Sequence, residues 1–123
     1  MKKKIILISG DPNSINSEII YKSWKKLSKI SKQNIFLITN YNLIKDQLKK
    51  LNYKIAIKLV KDIHNCKKSD ALKIINIDIN YKNPFNVSFK ASSKFITKSL
   101  NLAHNLALDK RIAGIINCPI DKR

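Results

Sequence analysis

Lys4-Ile5-Ile6-Leu7-Ile8-Ser9-Gly10-Asp11-Pro12-Asn13-Ser14-Ile15-Asn16-Ser17-Glu18 is the stretch on which the fold turns. Its first half is a short β-branched run stopped at Gly10-Asp11-Pro12, which predicts a buried strand entering a loop. Beyond the loop, Ile20, Trp24 and Leu27 recur at i, i+4 and i+7, the apolar stripe of an amphipathic helix. Ser17 is placed to cap that helix, and Glu18 suits its first turn, where the dipole is positive.

The alternation of strand and helix continues down the chain. Residues 34–39 (Asn-Ile-Phe-Leu-Ile-Thr) read as a second strand, and Asn40 as the cap of a helix carrying Leu43, Ile44, Leu48 and Leu51. Residues 53–60 alternate, with Ile55, Ile57 and Leu59 on one face, and predict a strand with a wetter side. Residues 61–70 are polar and read as a loop, 71–79 as a strand, and 80–86, with Pro84, as a connection. Ser92 or Ser93 is expected to open a long helix whose inner face is Ile96, Leu100, Ala103 and Ala107. Residues 112–117 form a last strand, stopped by Pro119. This order predicts an α/β fold, a largely parallel sheet with helices on both faces. In such sheets the chemistry sits beyond the carboxyl ends of the strands, here residues 10–16 and 117–122. The chain stops at Asp121-Lys122-Arg123, just past a strand where a helix should follow, and so reads as truncated.

Composition narrows the function. The 123 residues carry 25 Lys plus Arg against 8 Asp plus Glu, a formal charge of +17. Such a balance first points to nucleic acid, because lysines neutralise phosphates. Yet the lysines are scattered, and only Arg111 and Arg123 offer the guanidinium fork favoured in base readout. Lys, Ile and Asn, all with A/T-rich codons, make up nearly half the chain, a composition that a biased genome could produce without functional pressure, so the charge reads mostly as solvated surface. A small basic nucleic-acid-binding module stays as the rival reading, nucleic acid being the less favoured partner; steep loss of affinity with salt is its signature. No apolar run approaches the roughly 18 residues that cross a bilayer, so no membrane partner is expected. Cys66 and Cys118 make no disulfide framework and read as reduced thiols of a cytoplasmic protein.

Each polar motif has a plain structural reading beside a functional one. The 10–18 segment lacks both Gly-x-Gly-x-x-Gly and Gly-Lys-Ser/Thr, and Asp11 repels phosphate unless a cation stands by. Its plain reading is a turn in which Pro12 fixes φ and Asn13 or Asn16 takes the left-handed region. Asn117 and Lys122 could contact a polar or anionic ligand, or simply end a strand. Cys118 has no nearby His to activate it. His64-Asn65-Cys66 offers too few ligands for a metal, and His104 falls beside the inward-facing Ala103 of a helix. Trp24 and the four Phe are assigned to the core.

Two separated segments together resemble one family. Gly10-Asp11-Pro12-Asn13-Ser14-Ile15-Asn16-Ser17-Glu18 is similar to the opening of the 4-hydroxythreonine-4-phosphate dehydrogenases, Gly-Asp-Pro-Ala-Gly-Ile-Gly-Pro-Glu. Asn117-Cys118-Pro119-Ile120-Asp121-Lys122 resembles their Thr-Ala-Pro-Ile-Asn-Lys, which likewise follows a long helix and a strand. Gly10, Asp11, Pro12, Ile15, Glu18, Pro119, Ile120 and Lys122 are retained. Asn13, Ser14, Asn16 and Ser17 stand where the family has Ala, Gly, Gly and Pro, and Asn117 replaces Thr.

The resemblance implies an isocitrate/isopropylmalate dehydrogenase-like fold and an NAD-dependent enzyme of pyridoxal phosphate (vitamin B6) biosynthesis. Such an enzyme oxidises the alcohol of 4-phosphooxy-L-threonine, after which the β-keto acid loses carbon dioxide. It also implies a divalent metal (Zn, Mg or Co) as Lewis acid, a small phosphorylated substrate, and a homodimer. The family's Gly-His-Thr-Glu segment and metal-binding histidines follow the lysine matching Lys122, and neither His64 nor His104 matches one. Residues 1–123 are therefore expected to be the amino-terminal part of a subunit, without metal ligands and inactive alone. Asp11, Asn117 and Lys122 are its expected cleft-lining residues.

Overall fold

The computed structural model describes residues 4–13, 16–64, 67 and 69–117, with the side chains of Asn16 and Asn117 left out. In chain order these form β1 (Lys4–Ile8), α1 (Asn16–Lys26), α2 (Lys29–Gln33), β2 (Ile35–Thr39), α3 (Tyr41–Lys50), β3 (Ile57–Leu59), β4 (Leu72–Asn76), α4 (Phe89–Ala107) and β5 (Ile112–Asn117). The five strands make one sheet in the order β3-β4-β2-β1-β5. Every pairing in it is parallel.

β2 lies in the middle of that sheet and is buried along its whole length. A parallel strand with helices on both sides has no wet face, which is why Ile35-Phe36-Leu37-Ile38 is continuously apolar rather than alternating. Ile35 and Leu37 pack with Ile20 and Trp24 of α1 and Ile44 and Leu48 of α3. Phe36 and Ile38 pack on the other face with Phe95 and Ala103 of α4. The expected fold class is the observed one.

The differences from the sequence reading have local causes. Strand pairing in the 53–60 segment is confined to Ile57–Leu59, at the sheet edge, where Leu59 is 48% exposed. The residues before it close α3 instead. Asn52 takes φ 58, and the N–H groups of Asn52 and Tyr53 bond Lys49 O and Leu48 O, a left-handed helix stop. Tyr53 then stacks on Tyr21, ring centroids 4.3 Å apart. Leu51 sits in this stop, exposed, rather than on the buried stripe. α2 occupies a stretch to which the sequence reading assigns no element, and is capped by Ser28, whose side chain accepts from the Ser31 N–H.

α4 starts earlier than expected. Ser88 is its cap, accepting from the Ala91 N–H, so Ser92 and Ser93 lie inside the helix. Its buried seam is Ser92, Phe95, Ser99 and Ala103, with Ile96 and Leu100 on the flank and Ala107 exposed. Ser99 fits the seam because its hydroxyl donates back to Phe95 O at 2.8 Å, leaving no unpaired donor against the sheet. Phe89, in the first turn, is 87% exposed and is no core residue.

Candidate functional site

β1 and β5 are neighbours in the sheet, with Ile8 paired to Asn117. The two strands therefore end side by side, at one carboxyl edge of the sheet. Asn117 is brought there by its backbone. Lys122 lies outside the described residues, as do Ser14, Ile15, Cys66 and Cys118.

The loop after β1 turns at Gly10, which has φ 78, a left-handed conformation that glycine adopts without a Cβ penalty. That residue, and neither Asn13 nor Asn16, takes the left-handed region among the described residues of the loop. Asp11 then accepts the Asn13 N–H on its carboxylate at 2.9 Å, an Asx-type turn. The turn fixes the Asp11 side chain within the loop that follows β1.

Asn13 and Ser17, two departures from the resembled pattern, are both built into the fold. Asn13 brackets Val87 in the β4–α4 connection: its Oδ1 accepts the Val87 N–H at 2.7 Å and its Nδ2 donates to Val87 O at 2.8 Å. Ser17 does not cap α1, which already includes Asn16. Its side chain is buried, with the hydroxyl donating to Gln47 Oε1. Gln47 in turn donates from Nε2 to Pro12 O at 2.9 Å and to Pro84 O at 2.7 Å. One buried amide from α3 thus ties together α1, the β1–α1 loop and the β4–α4 connection.

The space between these groups, lined by Ser9, Asp11, Ser17, Thr39 and Gln47 among others, has a volume of about 10 Å³. That is room for about one water molecule. Between the β1–α1 loop and α3 the edge is therefore filled by these side chains and forms a wall rather than an open cleft. Asn40, whose Oδ1 caps α3 through the Leu43 N–H, continues the wall toward β4 by donating to Ile77 O at 2.8 Å.

Tyr81 adds a titratable tie. Its hydroxyl donates to Asp46 Oδ2 at 2.6 Å, and burial, then the bonded carboxylate, pushes its phenol up to about 12. The fold therefore favours the neutral phenol. That contribution is fully present below about pH 10, where an unfolded tyrosine ionises, and is lost as pH rises through about 12. A spectrophotometric titration of the four tyrosines should show one ionising late, and Asp46→Asn should bring it closer to the rest.

His64 stands at the other edge and serves structure. Its Nε2 meets Asp109 Oδ2 at 3.0 Å, and the Arg111 guanidinium bonded to Asp109 holds that carboxyl well below the usual range. Among the described residues no three His, Cys, Asp or Glu side chains stand together in a way that could hold a metal ion. Among them, too, no helix is long and apolar enough to cross a membrane.

Sequence reasoning missed Gln47. The signal was present: residues 43, 44, 47 and 48 make one helical face, and a lone amide on an apolar face is buried only when bonded. Asn13 carried no comparable signal, because its partner Val87 lies 74 residues away.

No protein-family model matches the chain. A curated 4-hydroxythreonine-4-phosphate dehydrogenase from Sulfurihydrogenibium sp. (strain YO3AOP1) is 32% identical over 122 residues, which is 98% of this chain and 36% of that protein. The crystal structure of 4-hydroxythreonine-4-phosphate dehydrogenase from Klebsiella pneumoniae superposes with a TM-score of 0.79 at 20% identity, covering 98% of this chain and 38% of that one. A Salmonella typhimurium protein described as the same enzyme gives a TM-score of 0.80 at 17% identity, over 99% and 38%. The chain thus shares the isocitrate dehydrogenase-like fold of these proteins, and it spans little more than a third of their length.

Proposed function

We propose, with the likeness to 4-hydroxythreonine-4-phosphate dehydrogenase as premise, that this chain supplies the amino-terminal wall of such an oxidoreductase. The reaction is NAD- and divalent-metal-dependent oxidation, with decarboxylation, of 4-phosphooxy-L-threonine, carried out in the cytoplasm by a homodimer. The pairing of Ile8 with Asn117 supports this reading most directly, because it brings the strands bearing the two resembled motifs side by side with their carboxyl ends together. In the proposal Asp11, held by the Asn13 N–H, accepts a hydrogen bond from a polar substrate group. Asn117 and Lys122 line the adjoining wall, and Lys122 contacts the substrate's anionic end.

The described residues offer a metal ion no ligand set, and the sequence has no Gly-x-Gly-x-x-Gly cradle for a dinucleotide. No step is therefore assigned to either group on this chain. In this reading the part of the enzyme that the longer relatives have beyond the matched third holds both.

Two assays test the proposal. The chain with NAD, substrate and Zn, Mg or Co should give no turnover, and appreciable NADH formation would overturn its inactivity alone. A fusion to the unmatched portion of the Sulfurihydrogenibium relative should give turnover that falls roughly tenfold or more in Asp11→Asn, the scale of one charge-assisted hydrogen bond. A folded fusion with no turnover would overturn the dehydrogenase reading itself.

A further inference from the structure

We infer a second, phosphoryl-binding site in the hollow between the exit of β4 and the first half of α4. Lys90, Lys94 and Lys98 fall at i, i+4 and i+8, so they share one stripe of the helix. All three line a hollow of about 480 Å³, which Asp78, Asn80 and Ser88 also line, over a floor that includes Phe95. Cavities of roughly 300–1,000 Å³ are the size that takes a small organic ligand.

The charge in this hollow is unbalanced. α4 contains no acidic residue, and among the described residues none of the three lysines has an ion-pair partner. Lys22 and Lys29, by contrast, meet Glu18 and Asp70. One carboxylate, Asp78, lines the hollow with three ammonium groups, which leaves a charge of +2 for a ligand to match. A phosphate monoester carries close to two negative charges at neutral pH.

The helix start adds donors of the right kind. Ser88 takes the Ala91 N–H on its oxygen and keeps its own O–H to donate. The N–H groups of Phe89 and Lys90 meet no acceptor among the described residues. Backbone donors at a helix N-terminus, with lysines beside them, suit a phosphoryl group. A concave hollow with an apolar floor favours a small phosphorylated molecule over an extended nucleic acid strand. The inference does not depend on the dehydrogenase reading.

The test is a titration of the purified chain with glycerol phosphate, inorganic phosphate and uncharged glycerol, followed by amide chemical shifts. Saturable shifts are expected in residues 78–80 and 88–98 for both phosphates and none for glycerol. The stronger of the two phosphates identifies the source as an ester or the free ion, and either order upholds the site. K90Q/K94Q/K98Q should weaken binding roughly tenfold or more. K26Q/K50Q/K110Q, which removes the same charge from exposed positions elsewhere, should bind as the parent does. Equal loss in both triple variants, or shifts that never saturate, would overturn the site. So would displacement by a single-stranded oligonucleotide that shifts α1 and α3 as well, since that is non-specific surface binding.

Discussion

Gln47→Leu is expected to destabilise the fold by about 3 kcal/mol, moving the urea midpoint down by roughly 1.5 M at a typical slope for a chain of this size. The substitution keeps the apolar contacts of α3, because Leu has nearly the volume of Gln. What it removes is the buried amide itself: the donor to Pro12 O and Pro84 O and the acceptor for the Ser17 hydroxyl. Each buried polar group left unpaired costs about 1–3 kcal/mol. The sum of three is not expected in full, since a water molecule fits the adjoining 10 Å³ space and can take over part of the bonding. Gln47→Glu separates shape from donors. It restores the acceptor but gives the two carbonyls an anion in place of N–H, so its loss should match or exceed that of Leu at neutral pH and shrink in acid. A Leu variant within about 0.5 kcal/mol of the parent would mean that the amide is incidental to the wall.

That wall separates what the sequence discloses from what it withholds. The parallel sheet was legible because Ile5-Ile6-Leu7-Ile8 and Ile35-Phe36-Leu37-Ile38 are continuously apolar, and only a strand covered on both faces needs that pattern. Asn40 and the stripe from Leu43 to Leu48 announced α3, since cap and periodicity are local properties. The meeting of the two motif-bearing strands required one further fact, that β5 lies against β1, and strand order is not written in any local stretch. Asn13 and Val87, 74 residues apart, could be joined only by the closed fold. The same holds for the hollow beside α4, where Asp78 and Asn80 come from β4's exit and the lysines from the helix. In the sequence those lysines look like the rest of a +17 surface.

The face of α4 is where local periodicity misled, and Phe95→Ala measures by how much. Phe95 is 1% exposed and packs with Phe36, Ile6 and Ile38 against the sheet. Truncating a buried Phe typically costs about 3–5 kcal/mol, the lost transfer energy plus the cavity left behind. The upper half of that range is expected here, because Phe36 and the strands beneath cannot move into the gap without breaking the β2 ladder. Ile96→Ala should cost roughly 1 kcal/mol, since Ile96 lies on the flank of the seam and stays partly wet. Ala107→Ser, at an exposed position near the helix end, should change stability by less than about 0.5 kcal/mol. Sequence periodicity puts Ile96 and Ala107 inside as well and would make both substitutions costly. The misplacement has a definite origin: Ser92 and Ser99 look polar in sequence, but a hydroxyl bonded to its own helix, as Ser99 is to Phe95 O, fits against a sheet that a larger side chain would push away. A Phe95→Ala loss smaller than that of Ile96→Ala would place the isoleucine stripe inward and refute the packing of α4 described above.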